Sequence, residues 1–190
     1  MLKDLIVKNR SYRRFDRSDP VSMETLRELV DLARLSPSAG NHQALKFFLS
    51  ADAAQNAAIF PLLRWAVYLK DWDGPDEDER PTAYIVILHD KERGGTRPAD
   101  EGIAAQSILL GATEKGYGGC IFASADTAKL AAALELPERY EILLVIALGK
   151  PGEKVVLETV KPDGNIRYWR DAESTHHVPK RPLDDIIVTG

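Results

Sequence analysis

The sequence predicts one mixed helix–strand domain, and three observations lead to it. Helical and strand patterns alternate along the chain. No internal repeat or second composition regime interrupts them. The 190 residues suffice for one full-sized core. The alternation suits an open α/β sheet. A long apolar central helix and a hairpin pattern near the end suit an α+β arrangement as well, and pattern alone leaves both open.

The elements follow in order. Leu2, Leu5 and Ile6 recur at helical spacing, which predicts a short helix up to Lys8. The arginine-rich segment 9–15 breaks it. Ser22 is a good N-cap, Glu24 suits a first turn, and Leu26, Leu29, Val30 and Ala33 share one helical face. That helix stops before Pro37, in the loop chemistry of residues 36–43. Lys46 to Ala51 reads as a strand. Asp52 to Lys70 reads as helix, with Pro61 marking a break or a new first turn. Residues 71–81 read as an acidic, solvated loop. Ala83 to His89 reads as a buried strand, and 91–98 as a loop. Asp100 to Lys115 is apolar on most faces, so that helix is buried in the domain or in an interface. Gly116 to Phe122 is a glycine-rich turn into a strand. Asp126 caps a helix through Leu134, and Glu141 to Leu148 is the strongest strand signal. Val155–Val160 and Ile166–Trp169 read as a hairpin turned at Asp163-Gly164. The tail from 176 is basic and then apolar.

Composition excludes several classes. Apolar residues at 44% and charged residues at 28% are ordinary for a globular protein. A net charge of −4 argues against a broad nucleic-acid or anionic-membrane surface. No segment approaches the ~20 apolar residues of a membrane helix. The charged start, MLKDLIVKNR, lacks the apolar run of a signal peptide. Cys120 is the sole cysteine, so no internal disulfide forms, and a cytoplasmic protein is the expectation.

Four clusters carry candidate chemistry, and each has a bland reading beside it. Arg10, Ser11, Arg13 and Arg14 place three guanidiniums and a hydroxyl in five residues, suited to a phosphate or a polarised carbonyl, or simply a solvated turn. Lys180 and Arg181 lie between Pro179 and Pro182, a stiffened cationic pair or a solvated tail. Ser36 to Gln43 offers small and amide side chains to a flat polar ligand, or is only a loop after a helix. Gly116, Gly118 and Gly119 precede a strand and permit close backbone approach of a ligand. That segment is neither a Walker loop nor a dinucleotide fingerprint. His176 and His177 are adjacent, a poor geometry for sharing one metal. No nucleophile elbow or EF-hand spacing occurs. No acid, base or nucleophile set stands out, so an enzyme with this sequence takes its chemistry from a cofactor.

In this order the segments resemble the nitroreductase family of FMN enzymes. Arg10 to Phe15 is similar to its Arg-Ser-x-Arg-x-Phe signature, and Ser36 to Gln43 to its Ser-Pro-Ser-x-x-Asn-x-Gln loop. Asp100-x-Gly102-x-x-x-Gln106 resembles the opening of its central helix. Gly116 to Ser124 resembles its glycine-rich segment, and His177 to Leu183 its basic C-terminal arm. There are departures: Ala44-Leu45 replaces a frequent Pro-Trp, Ser107 stands where Asn is common, and the acidic loop 71–82 replaces a longer lid.

The resemblance implies an α+β sandwich, with a mixed, antiparallel-type central sheet flanked by helices, in an intertwined homodimer. It implies one domain over 1–190, with 170–190 an arm reaching the partner protomer. Arg10, Ser11 and Arg13 would contact the FMN phosphate, ribityl chain or pyrimidine edge. Gln106 belongs to the same cofactor-binding set. Lys180 and Arg181 would complete the phosphate site. Pro37, Ser38, Ala39 and Asn41 would come from the other protomer. Ile121, Ala123 and Ser124 would lie along one flavin face. NAD(P)H would deliver hydride to flavin N5, and a small electron-poor acceptor (a nitro compound, a quinone or similar) would take it in ping-pong order. Arg13 would stabilise the charge that reduction places on the pyrimidine side. An FMN-binding carrier or sensor, a flavin-fragmenting or dehalogenating relative, and a non-flavin anion-binding module are the other readings. Neither a metal, nor nucleic acid, nor a membrane is expected.

Overall fold

The computed structural model describes residues 1–95 and 99–189. Its helices are α1 (Leu2–Lys8), α2 (Met23–Leu35), α3 (Ala53–Ile59), α4 (Asp100–Glu114) and α5 (Thr127–Ala133). Its strands are β1 (Phe15–Asp16), β2 (Leu45–Ser50), β3 (Ala83–Asp90), β4 (Gly118–Phe122), β5 (Tyr140–Pro151), β6 (Val155–Thr159), β7 (Trp169–Arg170) and β8 (His176–Lys180). The expected loop at 91–98 extends over Thr96 to Pro98, outside the described residues.

β5 organises the main sheet. It pairs antiparallel with β1, β3 and β4, and β3 pairs antiparallel with β2. β3 and β5 are covered on both sides, which is why both read as nearly continuous apolar runs. Alternate side chains feed two cores, as the period of a strand requires. Ile85, Ile87, Ile146 and Leu148 pack with Leu26 and Leu29 of α2 and with Ala105, Ile108 and Ala112 of α4. Tyr84, Val86, Val145 and Ala147 pack with Ile59, Trp65, Leu130 and the β4 residues Cys120 and Phe122. The result is a helix–sheet–helix sandwich of the α+β class. The antiparallel pairing decides between the two arrangements that pattern left open.

The caps agree with the local chemistry. Ser22 Oγ accepts from the Thr25 amide at 3.1 Å, and Asp126 Oδ1 from the Lys129 amide at 3.2 Å. α4 ends in a Schellman motif: Gly116, at φ +84°, donates its amide to Thr113 O and Tyr117 donates to Ala112 O.

Four expectations are corrected. The hairpin does not form: β8 lies between β6 and β7, parallel to the first and antiparallel to the second. Alternation announces a strand, but its partner is chosen by tertiary contact. The helix expected over 52–70 stops at Ile59 and tightens into one 3₁₀ turn, Phe60–Leu62. Pro61 sits in that turn, and Trp65 is drawn into an aromatic cluster with Phe60, Trp72 and Phe122. The acidic loop keeps Asp76, Glu77 and Asp78 exposed, as expected, but it is tied down beside them: Arg14 Nε pairs with Glu79 at 3.2 Å, and Arg17 donates to Glu77 O at 2.6 Å. Gly118 and Gly119 serve packing. A Cβ at Gly119 would lie 2.4 Å from Ala147 O, and one at Gly118 2.5 Å from the Tyr12 ring.

Candidate functional site

The arginine segment leaves α1 and is tied to β4. Ser11 bridges Gly119, and the Tyr12 amide donates to Gly119 O at 3.0 Å. This pins residues 10–14 across the end of the sandwich. Arg10 donates through one Nη to Ile6 O at 2.7 Å, while its Nε is buried with no acceptor. Burial pulls its pKa below the ordinary arginine value, and the guanidinium stays charged. Asn9 Nδ2 donates to Gln106 Oε1 at 3.5 Å, which brings Gln106 of α4 to the same segment.

Arg13 is buried, at 9% exposure. One Nη stands 3.4 Å from Ser11 O and 3.3 Å from His176 Nε2, and the guanidinium carbon lies 4.9 Å from the Tyr168 ring centre. Its Nε has no acceptor. The nearby carboxylate, Glu153, is occupied otherwise. Its Oε1 accepts from the Arg13 and Arg14 amides at 2.5 and 3.2 Å, and its Oε2 from Arg170 at 2.9 Å. Arg170 lies over Trp72, 4.3 Å from the ring centre. Burial, and then the Arg13 charge, pull the His176 pKa down to about 4.

Beyond β4 the chain stays at the surface. Ile121 is exposed although its neighbours Cys120 and Phe122 are buried, and Ala123 and Ser124 are exposed. Burial pushes the Cys120 thiol pKa up, which leaves it a poor nucleophile.

The loop 36–43 packs against α4. Ser36 Oγ and Ser107 Oγ are 2.7 Å apart, and the Ala39 amide donates to Asp100 Oδ1 at 2.9 Å. Gly40, Asn41 and Gln43 all have positive φ, so the loop is tightly wound. Pro37 and Ser38 line a cleft of about 400 Å³, together with Arg34, Phe47, Leu49 and Asp100.

The predicted site residues therefore fall into three groups. Arg10, Ser11, Arg13, Gln106 and Ile121 gather around β4 and the near face of α4, with Ala123 and Ser124 just beyond. Pro37, Ser38, Ala39 and Asn41 gather at Asp100 and Ser107. Lys180 and Arg181 stand exposed at the end of β8. Among the described residues, no hydrogen bond or ion pair joins one group's side chains to another's. Sequence reading missed Glu153, Tyr168, Arg170 and the Arg13 contact of His176. These lie 140 or more residues from Arg13, and no spacing announces them. Among the described residues, no cluster of three His, Cys, Asp or Glu side chains is arranged for a metal, and no helix is long and apolar enough to cross a membrane.

The comparisons bear on the whole arrangement. YodC of Bacillus subtilis, a candidate NAD(P)H nitroreductase by name, is 22% identical over 196 residues, covering 87% of this chain and 97% of that protein. An FMN-dependent nitroreductase from Clostridium difficile R20291 superimposes with a TM-score of 0.64 at 23% identity, over 79% of this chain and 87% of that one. A nitroreductase family protein from Streptococcus pneumoniae TIGR4 does so with a TM-score of 0.69 at 19% identity, over the full length of both. The sequence profile of the nitroreductase family matches residues 6–150, from the end of α1 through β5. This chain belongs to the nitroreductase family.

Proposed function

We propose that the protein is an FMN-dependent oxidoreductase that draws on NAD(P)H and serves a small electron-poor acceptor. The observation that carries this reading is a pair of buried donors, Arg10 Nε and Arg13 Nε, on two cations that meet no carboxylate among the described residues. A buried unpaired charge is costly, so such a pair is expected to meet an anion or a strong acceptor. A phosphorylated flavin brings both, a phosphate of about −1.5 to −2 charge and a polar pyrimidine edge. The residues present fit it. Arg10 and Ser11 would hold the phosphate or ribityl chain, with Lys180 and Arg181 supplying further charge. Arg13 and Gln106 would face the polar edge, and Ile121, Ala123 and Ser124 would lie along one flat face.

When bound, FMN would supply two-electron chemistry between NAD(P)H and the acceptor. The chain's own part is to bind, to orient and to exclude water. In this reading no side chain has to act as acid or base.

A second copy completes the arrangement in this reading. Loop 37–41 of one protomer would cover the cofactor of the other, with residues 170–190, whose β8 pairs with β6 of its own chain, as the arm. Support comes from the open cleft between α1, α2 and α4, about 470 Å³ and lined by Leu5, Leu32, Leu35 and Leu110. The names of YodC and of the Clostridium difficile protein support the same chemistry.

The test is direct. Protein saturated with flavin is denatured by heat, the released cofactor identified by mass, and the absorbance followed on adding NADH or NADPH. FMN that bleaches supports the reading. FAD, or no flavin, overturns it, and FMN that does not bleach makes the protein a carrier or sensor.

A further inference from the structure

We infer that His176 is a positioning residue for Arg13: it holds the guanidinium by a neutral contact and leaves the cation's charge free for the cofactor. The inference rests on the oxidoreductase reading above. Arg13 has only donors to offer, so the ring nitrogen 3.3 Å from its Nη must present a lone pair. That places the His176 proton on Nδ1, which is buried with no partner. The groups that act on the ring are Arg13, Glu153, Arg170 and the Tyr168 ring at 5.1 Å, with a smaller contribution from His177 on the opposite face of the strand. Burial and the adjacent cation both favour the neutral form, so the acceptor persists at neutral pH.

The neutrality matters. Were a carboxylate in the place of His176, it would neutralise Arg13, and little field would remain for a charge appearing on a bound ligand. The nearby carboxylate is kept on other work. Glu153 binds the Arg13 backbone amide and the Arg170 guanidinium, fixing the chain without touching the Arg13 guanidinium. β8 thus sets the direction of the cation, and β6 and β7 on either side hold β8. The part of the chain that carries His176 lies beyond the family match at 150, so this contact belongs to a segment the family profile does not cover.

The experiment is a double-mutant cycle read on FMN affinity and on the midpoint potential of the bound flavin. His176→Phe removes the acceptor, His176→Gln keeps a neutral one, and Arg13→Ala removes the cation. His176→Phe should weaken binding of the reduced cofactor about tenfold and lower the potential, about what one charge-assisted contact contributes. His176→Gln should stay near wild type. In the Arg13→Ala background, His176→Phe should add nothing. An effect of equal size without Arg13, or no effect in either background, overturns the inference. Nitrogen NMR of the cofactor-free wild type covers the case in which His176→Phe fails to fold. The His176 proton should sit on Nδ1 from pH 6 to 8, and a proton on Nε2 overturns the pairing. If the wild type binds no FMN, the oxidoreductase reading fails, while the NMR result still decides the His176–Arg13 contact.

Discussion

Four arginines near the N-terminal segment have different roles, and their partners show which. Arg14 meets Glu79, and Arg170 meets Glu153. Such pairs hold structure together. Among the described residues, Arg10 and Arg13 find only carbonyls, a neutral ring and an aromatic face. Their charge is therefore available to a ligand. Arg10→Ala and Arg181→Ala should each weaken FMN about ten- to hundredfold, since a charge-assisted bond contributes ~1.5–3 kcal/mol. Neither should unfold the protein. Arg10 donates to Ile6 O of the adjoining helix α1, and Arg181 is exposed. Fluorescence titration of the cofactor-free protein measures the affinity, and unchanged values in both variants would make these cations solvated charge only.

β8 carries two adjacent histidines whose pH behaviour is opposite. Their side chains leave the strand on opposite faces, as strand geometry requires. His176 points to Arg13. His177 sits between Asp171 Oδ2 at 3.0 Å and Glu158 Oε1 at 2.5 Å, stacked 4.0 Å from the Trp169 ring. The Asp171 bond, with Glu158 adding to it, holds the His177 pKa above 6.5. Its contribution to stability is complete below 6.5 and lost as pH rises through the raised value. His176 runs the other way. Its folded pKa of about 4 lies below the ordinary 6.5, so its contribution is complete above 6.5 and lost as pH falls toward 4. Protection of the β8 amides, the exchange rate taken relative to that of the unfolded chain at the same pH, should therefore be greatest near neutral pH. His177→Gln should remove the alkaline loss of protection and spare the acid one. If the variant keeps the alkaline loss, His177 is not its origin.

At the scale of the whole molecule, a single chain holds its candidate site in separate groups. The loop 36–43 is fastened to α4 by Asp100 and Ser107, and among the described residues no hydrogen bond or ion pair links it to Arg10 or Arg13. Apolar side chains also remain outside the core: Leu32, Leu35 and Ile103 on α2 and α4, and Ile186, Ile187 and Val188 in the tail. Both features are accounted for if two copies combine. Sedimentation should show a homodimer that persists on dilution, and truncation after Arg181 should weaken it. A stable monomer with full FMN occupancy would contradict this.

The sequence by itself determined much of this protein. The caps at Ser22 and Asp126, the doubly covered strands and the apolar central helix follow from local periodicity and side-chain chemistry, which neighbours in the chain decide. The arginine segment, the 36–43 loop and the glycine-rich segment 116–124 were legible as candidate ligand contacts, because charge, small side chains and glycine stand out in any sequence. Only the tertiary structure decided which strand lies beside which. β8 displaced the expected hairpin because pairing depends on contacts between distant segments, not on alternation. It also decided what the glycines and arginines do. Gly119 is small because Ala147 O lies against it, and Arg13 differs from Arg14 because one meets His176 and the other Glu79. Burial and charge compensation are properties of the folded surroundings, and a linear reading of identical side chains does not contain them.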